Sequence, residues 1–266
     1  MNHMPLYWQF VKIKLKAMAD YRSSFLIITF SKTLMWAVEV FVLWILIDRF
    51  KTIAGWSSYE VLLLFGLNLS SYALAGFFFY HPFVYLPRRI QSGEFDEMLT
   101  KPMNPFLYLL SREFSTGYFS NLGVAVIVMG LAFAKLDLGL DWIDLLFLIA
   151  VILGGAMIQA AAFVFAAVPA FWITQSSSLS RLMWDFKGFI RYPLSAYNSF
   201  IQVLLTLILP FAFINFYPAQ YFLGKDDFLL FHPSFQYAAP LVGLLLFLLA
   251  YRFWRFGLKH YRSTGS

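Results

Sequence analysis

The chain has 266 residues, of which 61% are apolar, 21% aromatic and only 13% charged, with a formal net charge of +6, against roughly 45–50% apolar and about 25% charged in soluble domains. A soluble globular domain is therefore excluded. With 15 glycines, 11 prolines and no cysteine, so are a collagen, a disulfide scaffold and any thiolate nucleophile or metal site.

The composition predicts an all-α polytopic membrane protein with a single domain over 1–266. At the N-terminus, residues 5–22 set Gln9, Lys12, Lys16 and Asp20 along one helical stripe, with Trp8, Val11, Leu15 and Met18 opposite. That pattern predicts an interfacial helix lying in the headgroup plane. The first long apolar stretch begins too late, and runs too long, for a cleaved signal peptide, so the N-terminus is expected to be retained. A spanning helix needs about 20 residues for ~30 Å of hydrocarbon. Runs free of Asp, Glu, Lys and Arg cover 61–87, 114–134, 145–180, 192–224 and 228–251. Trimmed at Pro, Ser and Gly, they predict spans near 61–81, 116–134, 144–168, 199–217 and 237–256. A sixth, near 24–47, is interrupted by Lys32 and Glu39. Between spans five and six, residues 218–236 are too apolar for a free loop and too broken for a span, which predicts a re-entrant outer segment.

Six spans place both termini on one side. That side collects fifteen Lys and Arg residues in its loops and tails, against four on the other. The positive-inside rule then makes both termini cytoplasmic and the protein a multi-pass component of the cytoplasmic membrane. The basic charge reports topology and contact with anionic membrane lipids, not nucleic-acid binding.

The chain has no phosphate-binding Gly-x-x-x-x-Gly-Lys-Ser/Thr loop, no nucleophile elbow and no clustered histidines, so it is not expected to hydrolyse ATP, hold a metal or catalyse a reaction. The most informative loop is 88–105. Pro87 and Pro102 delimit it, Gly93 permits a turn, and 94–100 fit a two-turn helix with acids in its first turn, where the helix dipole favours them. Such a helix suits docking on a soluble partner, although an ordinary solvated connector would read the same way.

Residues 93–105, Gly-Glu-Phe-Asp-x-x-Leu-x-Lys-Pro-x-Asn-Pro, resemble the intracellular signature of six-span permeases of type-two ATP-binding-cassette exporters. Tyr217-Pro218-Ala219 with Leu223-Gly224, and Phe253-x-x-x-Gly257-Leu258-Lys259-x-Tyr261, resemble the same paired-permease subfamily. Phe95 departs from it, standing where an aliphatic residue is expected. The resemblance implies a coupling helix at 94–100 seated in a cleft of a separate ATPase, with Arg88, Arg89, Gly93, Glu94, Phe95, Asp96, Met98 and Leu99 as the coupling residues. It also implies that residues 5–22 pack beside this helix. Two permeases, the same or paired chains, would join two ATPases. ATP and Mg would be held by the ATPases, with no cofactor on this chain.

Charges inside a span cost roughly 2.5–3.5 kcal/mol on insertion scales and usually face a protein interior or a cavity. Lys32 and Glu39 share a face but lie about 10 Å apart along the axis, too far to pair, so each needs another partner. They are candidates for a translocation path or dimer interface, with Asn68, Gln159, Gln202 and Thr206; snorkelling and interhelical hydrogen bonding are the structural alternatives. Two functions follow: an exporter permease driven by a separate ATPase, or an ATP-independent scramblase, channel or secondary carrier with a cavity lined by Lys32 and Glu39.

Overall fold

A computed structural model describes residues 22–173 and 177–263, together with Lys12 and Lys16. Apart from those two lysines and Arg22, the expected interfacial helix at 5–22 lies outside the described residues. Helix α1, Arg22–Phe50, runs 29 residues through Lys32 and Glu39 without a break. A minimal hairpin follows, β1 (Thr52–Ile53) antiparallel to β2 (Trp56–Ser57). Helix α2, Ser58–Ala75, then starts with the Ser57 amide donating to the Glu60 carboxylate at 2.7 Å. This satisfies an otherwise orphan N–H at the helix start.

A π turn at Gly76–Tyr80 carries α2 into α3 (His81–Val84) and α4 (Leu86–Gln91). Ser58–Gln91 is thereby a 34-residue apolar run, well beyond the predicted 61–81. Gly93 then takes a left-handed φ of 73° and breaks the direction, a conformation that costs glycine little. The short helix α5, Glu94–Leu99, follows at once. Helix α6, Pro105–Arg112, opens with Asn104 accepting from the amides of Phe106 and Leu107 and with Pro105 in the first turn, where its missing N–H is not needed. Two long helices come next, α7 (Phe119–Lys135) and α8 (Trp142–Ala167), the second capped by Asp141 and Asp144.

Helix α9 covers Ser177–Phe189, and here the expected arrangement changes. Residues 181–191 fall outside every expected span, and 199–217 is expected as the fifth. The second segment is broken instead. Helix α10 (Ser199–Val203) and a π turn to Ile208 are bent by 78° from the segment Phe211–Leu223, which ends in α11 (Phe216–Leu223). Pro210 sits at the break and cannot donate a helix hydrogen bond.

Contacts of α9 show where the missing depth lies. Asn215 Nδ2 donates to the carbonyls of both Ile190, at 2.7 Å, and Leu64, at 3.2 Å. Leu64 lies about 9 Å along α2 from its hairpin end. The end of α9 is thus deep in the bundle, near the hairpin, and Arg181–Arg191 climb toward it. The charge-free-run criterion hid this because α9 carries Arg181, Asp185 and Lys187. Without Arg181 and Lys187 the basic asymmetry is still thirteen to four.

The last helix, α12, spans Ala239–His260. Among the described residues four helical segments, Ser58–Gln91, Thr116–Lys135, Trp142–Phe171 and Ala239–His260, are long and apolar enough to cross a membrane; the bent pair makes a fifth if it counts as one span.

Helix α2 forms the centre, flanked by α7 and α8, and α12 lies along the far side of α8. Glycines make that last contact possible. A Cβ on Gly243 would strike the Gly154 carbonyl, and one on Gly154 would come within 2.7 Å of the Pro240 Cα. Backbones approach this closely only where small residues meet. Gly243→Val is expected to force α8 and α12 apart and cost about 1–3 kcal/mol, the usual range for overpacking, read as a lower melting temperature in detergent, whereas Gly123→Val, facing open space, is expected to change it little.

Candidate functional site

At the end of the bundle opposite the hairpin, two arginines and two glutamates alternate in one network. Arg89 Nη2 lies 2.9 Å from Glu113 and its Nε 3.7 Å from Glu94; Arg112 Nη2 lies 2.7 Å from Glu94 and its Nε 3.6 Å from Glu113. Arg89 also donates to the Pro82 carbonyl. Its guanidinium is buried, and the planar fork presents enough donors to serve three acceptors at once. The network ties α4, the first residue of α5 and the end of α6 into one body.

The apolar side of α5 closes the same joint. Phe95 is fully buried among Phe171, Trp254 and Tyr261, with ring centroids 5.5, 6.2 and 5.2 Å away. Met98 is buried in the same cluster. Asp96 accepts from the Tyr261 hydroxyl at 2.9 Å and from Ser263 Oγ at 2.7 Å. Burial, reinforced by that bond to Asp96, pushes the Tyr261 phenol up to about 12, so the donor stays protonated at neutral pH. Its contribution is present below the ordinary phenol value and is lost only as pH rises from about 10 towards 12.

These positions correct one expectation and refine the others. Phe95 and Met98, expected to bury against a partner, are core residues of this chain, and Arg89 is held in the ionic network. Glu94 and Asp96 are likewise taken by internal partners, and Gly93 makes the turn. The surface left for a partner is Arg88, Glu97, Leu99 and Thr100, all exposed; Leu99 is an apolar side chain in a polar setting. An amphipathic two-turn helix leaves this ambiguity in sequence, because either apolar face can turn inward.

The candidate residues of the bundle interior fall into two groups. Glu39 finds its partner in Arg191, 2.6 Å away. Gln159 Nε2 donates to the Asn68 carbonyl and side chain at 3.2 and 3.4 Å, leaving Gln159 Oε1 buried without a partner. Glu39, Asn68 and Arg191 line one narrow cleft with Trp36 and Tyr72, and Gln159 lines a second with Phe163 and Met183. Lys187 lines both, its ammonium 3.4 Å from the centre of the Tyr72 ring.

Lys32, Gln202 and Thr206 lie elsewhere. Lys32 donates to the Gly117 carbonyl at 3.2 Å and sits over the Tyr118 ring. Gln202 donates to the Tyr197 carbonyl, and Thr206 bonds the Tyr217 hydroxyl at 2.9 Å. Lys187 and Arg191 are not among the expected site residues because both fall outside every expected span. The signal that would have found them is the helical alternation of Leu182, Met183, Phe186 and Phe189 with Arg181, Asp185 and Lys187. Among the described residues no group of three or more His, Cys, Asp or Glu side chains is placed to hold a metal.

A bundle of membrane-length helices, with a short helix clamped at one end, defines a polytopic membrane protein. The family described as ABC-2 family transporter protein matches residues 33–265. The chain belongs to that family and is a multi-pass permease of the ATP-binding-cassette class, which works in association with ATP-binding-cassette ATPases. Neither the curated proteins nor the solved structures yield a significant match.

The Glu39–Arg191 pair joins α1 to the segment after α9. Arg191 is half exposed, so the pair is worth about 1 kcal/mol rather than the several of a fully buried one. A double-mutant cycle with Glu39→Gln and Arg191→Gln, read by melting in detergent, is expected to return a coupling energy of about that size; additive effects would show that the pair does not hold α1.

Proposed function

We propose that this chain is the membrane half of an exporter in which ATP hydrolysis by a separate ATPase dimer drives alternating access, with α5 as the element that receives the push. The observation carrying this reading is that the inner side of α5 is attached to several separate elements at once. The ionic network joins it to the segments before and after it, Phe95 joins it to Phe171 beyond α8 and to Trp254 on α12, and Asp96 joins it to the chain after α12. A solvated connector needs none of these. Interfaces and packed cores switch between discrete arrangements, so a displacement of α5 is passed to several helices together.

On this reading ATP and Mg stay with the partner ATPase, and this chain contributes no catalytic group. A second permease, identical or paired, completes the unit. The membrane is the cytoplasmic one, the α5 end and both termini face the cytoplasm, and the hairpin and α11 face outward, as the basic asymmetry requires. With α1 counted and α9 with the α10–α11 segment taken as the fifth crossing, the chain has six spans. The clefts around Lys187, Glu39, Asn68, Gln159 and Arg191 are the part of the path this subunit supplies. Charges and an unpartnered amide oxygen inside an apolar bundle are retained at a cost that a structural role alone does not call for. Lys32, Gln202 and Thr206 stabilise helix contacts instead.

Two substitutions on α5 separate the coupling role from the structural one. Leu99→Ala is expected to reduce recovery of the ATPase with the tagged permease several-fold while leaving the permease's own melting nearly unchanged, because Leu99 projects outward. Phe95→Ala should lower permease stability by about 3–5 kcal/mol, the range for emptying a buried aromatic site. Full ATPase recovery with both Leu99→Ala and Glu97→Lys would move the function to an ATP-independent carrier.

For the topology, a cysteine at Asp226 is expected to react with an impermeant maleimide in intact cells, and one at Glu97 only after lysis. Reaction of both in intact cells, or of neither, would break the orientation.

A further inference from the structure

One face of α12 is partitioned by chemistry along its length. Leu241, Leu245 and Leu248 follow one another at spacings of four and three, and Arg252, Arg255 and Lys259 continue the same stripe at four, three and four. This alternation keeps side chains on one line of a helix. The three leucines are 60%, 52% and 48% exposed, and the three cations are exposed as well, lining a shallow concavity with Phe256.

Nothing on the described chain neutralises this end. The acids of the joint around α5 are engaged elsewhere: Glu94 and Glu113 with Arg89 and Arg112, Asp96 with Tyr261 and Ser263, and Glu97 with Lys101. No ion pair forms to Arg252, Arg255 or Lys259 among the described residues. A single cation at the helix end would serve the helix dipole and the topology. Three on the lipid-facing line, with no counter-charge, exceed that need.

The dimensions indicate the occupant. From Leu241 to Arg252 the helix rises about 16 Å, close to half of the ~30 Å hydrocarbon core, which is the length of an acyl chain in one leaflet. From Arg252 to Lys259 it rises about another 10 Å. Arg252, Arg255 and Lys259 share one concavity, so their three charges can meet two phosphate groups, and each arginine can grip a phosphate with two parallel hydrogen bonds.

We propose that this face of α12 is a binding site for an anionic phospholipid with two phosphates, of the diphosphatidylglycerol type, its acyl chains on Leu241, Leu245 and Leu248 and its headgroup on Arg252, Arg255 and Lys259. The site lies on a different helix face from the clefts around Lys187 and does not depend on the transport reading. A basic patch at a membrane–water boundary is the setting in which such headgroups are recognised.

The test uses the full chain in nanodiscs of phosphatidylcholine alone, with phosphatidylglycerol, or with diphosphatidylglycerol at matched total charge. Wild type is compared with Arg252→Gln/Arg255→Gln, which keeps Lys259 for topology, and with Arg252→Lys/Arg255→Lys, which keeps the charge. The expected result is that diphosphatidylglycerol survives delipidation and is seen bound by native mass spectrometry. Its retention falls at least fivefold in the glutamine variant and recovers partly in the lysine variant, and its gain in melting temperature over the phosphatidylglycerol disc disappears with the arginines.

Equal retention by wild type and glutamine variant would overturn the proposal. So would an equal gain in melting temperature from soluble glycerol phosphate, which would make the patch a site for free phosphate. Loss of ATPase recovery by the glutamine variant in phosphatidylcholine discs, with lipid retention unchanged, would overturn it by making the patch a protein contact.

Discussion

The structure turns on a guanidinium that cannot leave its place. Arg89 is buried at the end of the long central run and satisfies Glu94, Glu113 and the Pro82 carbonyl. Removing a partner from such a group leaves an uncompensated charge away from water, which costs far more than a surface pair gains. The turn at Gly93, the start of α5 and the end of α6 are therefore fixed relative to α4. Everything nearby inherits that constraint, including the burial of Phe95 and the bond from Tyr261 to Asp96. A short helix that would fray alone becomes a rigid part of the bundle, since six residues cannot sustain helical order in water without tertiary support.

Rigidity at that end contrasts with the bundle interior. Polar and charged side chains there meet across helices: Glu39 with Arg191, Gln159 with Asn68, and the Lys187 ammonium over Tyr72. The central run that carries Asn68 and Tyr72 is interrupted by the π turn at Gly76–Tyr80, and the segment after α10 breaks at Pro210. Irregular backbone at membrane depth is tolerated where protein or a cavity, not lipid, surrounds it.

The all-α membrane character, the helices near 116–134, 144–168 and 237–256 and the existence of a short helix after Gly93 were legible in the sequence. Hydrophobicity and punctuation by Gly and Pro are local properties that a membrane protein must satisfy segment by segment. So was the family, through the run from Gly93 to Pro105. The sequence also required partners for Lys32 and Glu39, because an unpaired charge in hydrocarbon is costly whatever the fold.

Which partners they found was decided only by the tertiary structure. Arg191 is 152 positions from Glu39 in the chain and Gly117 is 85 from Lys32, and no local pattern links residues so distant. The course of α9 was hidden for a related reason: its charges are acceptable within the bundle because Tyr72 and Glu39 wait there for Lys187 and Arg191, and a window of sequence carries no trace of them. The same holds for α5, whose two apolar sides look alike in sequence. Phe95 points inward because Trp254, Phe171 and Tyr261 leave a ring-sized space beside it, and Leu99 is left to the outside because the fold offers it nothing to pack against.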